Sequence, residues 1–317
     1  MDCRGNRRFR DAWKHHDSGV LRKSPRNHAD IPHSHCAAAP WVSHEGHGVH
    51  VHGVGLAWSK DAGVACRGQV LAQALVAATR TIENREVHSL HGYFLRPGNI
   101  DLPVVFSVDR LRDGRSFSTR RVQAFQNDEA IFSMIASFQE SDPGLEHQDD
   151  FPSDIPDPET LPSAADMMGD NPHPVAQYWS KARPFDMRHV PSPIYFKVEG
   201  EHVAHQAVWL RSLGDMPESQ ELHTAALAYA SDYSILESIY RRHGIAWSHP
   251  GLKSASLDHA MWFHRPARVD QWMLYVQESP SAQGGRGLAL GRIFSSRGEL
   301  LATVAQEGMV RIPELAG

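Results

Sequence analysis

YFLRPGNIDLPVVFSV (93–108) is answered by WFHRPARVDQWMLYVQ (262–277). In each copy an aromatic pair runs into Arg-Pro, a turn signal, and then into a strand-like run. The repetition continues on both sides. IFSMIASFQ (131–139) answers LLATVAQ (300–306), so Gln139 and Gln306 are expected to end equivalent strands. Upstream, GVHVHGVGLAW (48–58) alternates like a strand, and RGQVLAQALVAATRTI (67–82) follows as a helix. Strand-like runs come next at 87–95, 103–111, 116–126 and 130–139, parted by turn residues. The second half repeats the order: a strand at 203–212, a helix over about 219–242, and strands at 253–264, 270–279, 286–295 and 299–310. One long helix followed by an antiparallel meander, twice, predicts an α+β fold of two similar halves, each a sheet wrapped around its central helix.

Between the halves the character changes. No Lys or Arg occurs between Arg121 and Lys181, and ESDPGLEHQDDFPSDIPDPETLPS is acidic and proline-rich. The expected division is a poorly ordered extension over 1–46, a first repeat over 47–140, a linker over 141–185 and a second repeat over 186–317. The extension lacks apolar periodicity and carries, with the strand after it, nine of the 21 histidines. His44, His47, His50 and His52 follow no metal-ligand spacing, so a polar strand face is the reading there.

The 317 residues are 41% hydrophobic, enough for a sizeable core. A formal net charge of −5 and scattered basic residues give no field for nucleic acid. No apolar run approaches the length of a membrane helix, and the first residues have no secretory apolar core. Three cysteines, Cys3, Cys36 and Cys66, exclude a disulfide framework and suit a reducing cytoplasm.

One residue of the second helix is out of keeping. Leu222, Ala225, Tyr229, Leu236 and Ile239 recur at steps of three and four, and Asp232 falls on the same stripe. A carboxylate there needs a partner. The pattern alone leaves a structural acid and a working acid both open. No G-x-S-x-G elbow accompanies Asp258-His259, which argues against a serine-hydrolase triad and for a structural role of that pair.

The stretch VHSLHGYFLRPGNIDLPVVFSVDRLRDGRSFSTRRVQAFQNDEAIFSMIASFQ (87–139) resembles the first half of the TesB-type acyl-CoA thioesterases, the acyl-CoA thioesterase II family. SLDHAMWFHRP (256–266) and VAQEGMVR (304–311) resemble the second half. The resemblance runs from about Gly68 to Arg311. It implies a double hotdog fold, water-mediated hydrolysis of acyl-CoA, and association of chains into homo-oligomers. It also implies a catalytic set: Asp232 in the second central helix, Ser256 before LDH, and Gln306 in VAQEG.

The chemistry agrees with that set. A thioester needs little help for its leaving group, so hydrolysis requires chiefly an oriented water and a stabilised oxyanion. A carboxylate can take the water's proton, and Ser256 and Gln306 can each donate and accept. Oxyanion donors are expected at a helix start, with Gly68 and Gln69 as candidates; where the family has Gly-Gly, this chain has Arg67-Gly68. Arg112, Arg115, Arg120 and Arg121 are candidates for the CoA phosphates, and also read as a solvated hairpin face. No metal or redox cofactor is expected. The alternatives are a hotdog hydratase acting on enoyl-CoA and a non-catalytic acyl-CoA-binding protein.

Overall fold

The computed structural model describes residues 41–45, 48–53, 67–172 and 174–313. The first half comprises β1 (Trp41–Glu45), β2 (Gly48–Gly53), helix α1 (Arg67–Thr79), β3 (Glu86–Phe94), β4 (Val104–Asp113), β5 (Phe117–Gln126) and β6 (Glu129–Gln139). The second half comprises β7 (Phe185–His189), β8 (His205–Ser212), α2 (Gln220–Ser231), α3 (Glu237–Arg242), β9 (Lys253–Ser256), β10 (Asp258–Phe263), β11 (Met273–Gln283), β12 (Arg286–Ser295) and β13 (Leu300–Arg311).

One 13-stranded sheet runs in the order β1-β2-β4-β5-β6-β3-β10-β13-β12-β11-β8-β7, with β9 pairing β13. Read from either edge, the order of the two halves is the same. They join where β3 and β10 pair antiparallel, His91 opposite Ala260. The sheet encloses the helices: α1 buries Val70, Leu71, Ala74, Leu75 and Ala78, and α2 buries Leu222, Ala226, Leu227 and Ala230 in the same core. This is the double hotdog architecture.

The repeat holds at the level of hydrogen bonds. Leu95 N and Arg96 N both donate to Ile131 O, at 2.9 and 3.3 Å. His264 N and Arg265 N both donate to Leu301 O, at 2.8 and 3.3 Å. Arg96 Nη1 reaches Ala130 O at 2.8 Å, and Arg265 Nη1 reaches Leu300 O at 3.0 Å.

Four sequence expectations need correction. β1 lies inside the segment expected to be an extension and is paired along its length with β2; residues 1–40 and 54–58 lie outside the described residues. The helix expected over 219–242 is broken. α2 stops at Ser231, and across the break Tyr233 N donates to Ala230 O and Glu237 N to Ser234 O, the tighter i→i+3 pattern. Ser231 Oγ lies 2.9 Å from Ala228 O, within reach to bond its own helix. The strand expected over 253–264 breaks at Leu257. Finally, Gln306 does not correspond to Gln139. β13 continues to Arg311 because β9 pairs with its end. The register sets Leu90 opposite Ala136 in the first half and Ala260 opposite Ala305 in the second, which carried one residue further brings His259, and not a counterpart of Glu86, beside Gln306.

The linker lies against the outer face of the second half. Phe151, Ile155 and Leu161 pack on a cluster containing Trp209, Leu274 and Phe294. Trp209 Nε1 donates to Pro156 O at 3.0 Å, and Arg292 pairs with Asp149 at 3.0 Å. Among the described residues, no helix is long and apolar enough to cross a membrane.

Candidate active site

Asp232 stands at the break after α2. It is the C-cap of α2 and half-buried, and its carboxylate crosses to the start of α1, where Oδ2 accepts from Gly68 N at 2.9 Å. A helix start presents unsatisfied N–H groups and partial positive charge, which suit a carboxylate. Only glycine fits there. A Cβ on residue 68 would lie 2.6 Å from Tyr229 O and 3.2 Å from Asp232 Cβ.

Ser256 ends β9, immediately before the bulge at Leu257. Three bonds hold that bulge. Leu257 N donates to Glu307 O at 2.9 Å, Phe94 N to Leu257 O at 2.9 Å, and Glu307 N to Asp258 Oδ1 at 2.7 Å. Asp258 Oδ2 also faces His91 Nε2 of the other half at 3.2 Å. With the strand pinned this way, Ser256 Oγ donates to Asp232 Oδ1 at 3.0 Å. Gln306, on β13, donates Nε2–H to Ser256 Oγ at 2.9 Å. The three residues singled out from the sequence thus form one connected group, drawn from a helix end and two strands.

Two further residues extend it: His259, read from the sequence only as a structural member of the Asp258-His259 pair, and Tyr275, which carries no sequence signal of its own. His259 Nδ1 meets Gln306 Oε1, and His259 Nε2 lies 2.9 Å from Ser231 Oγ. His259 is fully buried, and that burial holds its pKa below the usual imidazole value. Tyr275 OH donates to Ser231 O at 3.0 Å and so anchors the end of α2.

A second buried acid provides a contrast. Glu237 accepts from His189, Gln206 and Trp247 at 2.9, 3.0 and 2.9 Å, and is sealed in the core. Asp232 is the acid that retains an open side. Among the described residues, the first half has no counterpart of the site. Val87, Leu90 and Ala136 stand where the second half has Ser256, His259 and Gln306, and α1 contains no carboxylate. What the first half contributes is the α1 start, with Gly68 and, next to it, Gln69.

The four arginines lie elsewhere. Their hairpin sits beside Glu86, the first residue of β3, because Phe117 pairs with Gln139 and Gln139 with Glu86. The site adjoins Phe94 at the other end of β3, roughly 25 Å away at strand rise. Arg120 is 2% exposed and bonds inward to Thr81, Asp113 and the carbonyls of Arg112 and Thr119. Arg121 pairs with Asp109 at 2.8 Å. Arg112 and Arg115 are exposed.

The family described as "Acyl-CoA thioesterase" matches residues 180–309, and "Acyl-CoA thioesterase N-terminal domain" matches residues 57–139. The chain is 38% identical over 255 residues to acyl-CoA thioesterase 2 of Haemophilus influenzae, covering 78% of this chain and 87% of that protein. The chain belongs to the acyl-CoA thioesterase II family. It is also 40% identical over 259 residues to human acyl-coenzyme A thioesterase 8, covering 77% and 80% of the two chains. The crystal structure of the acyl-CoA thioesterase II TesB2 from Mycobacterium marinum superposes with a TM-score of 0.67 at 41% identity, over 84% of this chain and 93% of that one. As a member of this family the chain is a thioester hydrolase. For this thioesterase the placement of Arg120 gives a clear expectation. Arg120→Met should lower stability by roughly 2–3 kcal/mol through the acceptors it strands, with KM for acyl-CoA unchanged. Thermal melts and initial rates measure both.

Proposed function

We propose that the chain hydrolyses fatty acyl-CoA to free fatty acid and CoA, with Asp232, Ser256 and Gln306 as its catalytic residues. The observation that carries the reading is the unbroken bonding from Gln306 through Ser256 to Asp232 at the open end of α2. Asp232 accepts a proton from water as the water oxygen adds to the thioester carbonyl. Ser256 and Gln306 fix the direction of attack, and the tetrahedral oxyanion collapses to release CoA thiolate and the carboxylic acid. Gly68 N–H is bonded to Asp232, so its part is to hold the acid. Gln69, in the same first turn, is then the candidate oxyanion donor.

The exposed Arg112 and Arg115 are the candidates for CoA phosphates. They lie beyond the far end of α1, roughly 20–25 Å from the acid by helix and strand rise, so they would meet the phosphates only with the pantetheine arm fully extended. A place in cytoplasmic fatty-acid metabolism and assembly as a homo-oligomer complete the reading.

The hydratase alternative asks for a histidine free to exchange protons with substrate. The histidine beside this site has both ring nitrogens engaged with Gln306 and Ser231, which favours hydrolysis. The test is release of free thiol from an acyl-CoA series, with the acid quantified alongside. Equimolar thiol and fatty acid are expected. Consumption of enoyl-CoA without thiol would support hydration, and binding without turnover would support a carrier.

Ser256→Ala and Gln306→Ala should each lower kcat by roughly 10- to 100-fold with little change in KM, because they orient water rather than hold CoA. Both serve one water, so the double variant should be little worse than the slower single. Losses confined to KM and additive in the double variant would move both residues to substrate binding.

A further inference from the structure

The structure assigns to His259 the role of positioning residue for the catalytic amide: its Nδ1–H holds Gln306 Oε1, so that Gln306 presents its NH2 to Ser256. The assignment rests on the reading of Asp232, Ser256 and Gln306 as the catalytic set.

The polarity of the chain of bonds follows from the carboxylate and not from how the amide is drawn. Asp232 Oδ1 accepts, so the hydroxyl proton of Ser256 must point toward it across 3.0 Å. Ser256 Oγ then has only lone pairs left for Gln306, which must offer Nε2–H, as it does at 2.9 Å. That leaves Gln306 Oε1 facing His259 Nδ1, which must carry the proton. A neutral imidazole has one donor and one acceptor, so Nε2 takes the single Ser231 hydroxyl proton across 2.9 Å in place of Ala228 O, which lies at the same distance. Burial, which disfavours a second ring proton, suits this single-proton form. Turned over, the amide would set two acceptors, Gln306 Oε1 and Ser256 Oγ, against each other. His259 is the group that excludes that arrangement.

The fold itself does not require a histidine there. In the first half the same two places are filled by Leu90 and Ala136, both buried. A buried polar pair lowers stability unless each member is satisfied, and it occurs only in the half that holds Asp232.

Three substitutions separate positioning from packing. Asn places an amide nitrogen where Nδ1 stands, Gln places one where Nε2 stands, and Leu is the first half's own residue. His259→Asn should keep kcat within about threefold of the parent, while His259→Gln and His259→Leu lose roughly 10- to 100-fold in kcat with KM nearly constant. In a Gln306→Ala background, His259→Leu should cause no further loss.

The role is overturned if folded His259→Leu turns over normally, if folded Asn and Leu variants are equally slow, or if the losses add. If the leucine variant fails to fold, the Asn and Gln variants decide between themselves. Gln306→Ala with normal turnover overturns the catalytic set and this role together. Gln306→Ala slow with His259→Leu normal overturns this role alone.

Discussion

Asp232→Asn is expected to lower kcat for acyl-CoA hydrolysis by about a thousandfold while leaving a folded protein. The amide has the size of the carboxylate but cannot take a proton from water. It also has one acceptor oxygen where two are in use, one toward Gly68 N and one toward Ser256 Oγ. One of those donors must therefore face an NH2 group, and the fall in stability should be about that of a single hydrogen bond, roughly 1 kcal/mol. Because Asp232 is half-exposed, water can satisfy the displaced group. Circular dichroism and a thermal melt alongside the thiol assay separate the two effects. A folded Asp232→Asn protein with near-parental kcat would remove Asp232 from the chemistry.

Gly68→Ala should damage both stability and rate, against the trend of helix propensity. Alanine is favoured over glycine inside a helix by about 1 kcal/mol, and by less at a first turn. Overpacking costs roughly 1–3 kcal/mol, and here the obstruction is a backbone oxygen, Tyr229 O at 2.6 Å, that cannot swing aside. The two helices must separate, and the separation falls on the bond from Gly68 N to Asp232. Misplacement of a reacting group by about 1 Å costs on the order of a hundredfold in rate. A lowered Tm together with a large loss of kcat is the expected result. A variant with a raised Tm and normal turnover would show that α1 and α2 are not held as described.

Much of this architecture was legible because strands alternate and because the motif is written twice. β3 to β6 and β11 to β13 fall close to the runs read from the sequence, and the shared Arg-Pro corners fixed how the halves correspond. The break after Ser231 was not legible. No Gly or Pro marks it, and Leu236 and Ile239 stay on the buried stripe because turns with i→i+3 bonds keep them facing the core. The bulge at Leu257 escaped for a related reason: Ser256 and Asp258 alternate as in any strand, while the bonds that offset them come from Glu307 and Phe94. Matching Gln306 to Gln139 relied on residue identity, whereas register set Gln306 against Ala136. Asp232, Ser256 and Gln306 were found by resemblance. Their connection, and the place of His259 behind them, depends on contacts between residues 24 to 50 positions apart, which no local pattern encodes.

The most direct test of a water held by Asp232 is a single turnover in H2(18)O, quenched rapidly and read by mass spectrometry of both the acid and the intact enzyme. Direct attack by water predicts one 18O atom in the fatty acid and an enzyme of unchanged mass at every time point. An acyl group on the enzyme, or 18O in the Asp232 carboxylate with unlabelled fatty acid, would make Asp232 a nucleophile and contradict the account.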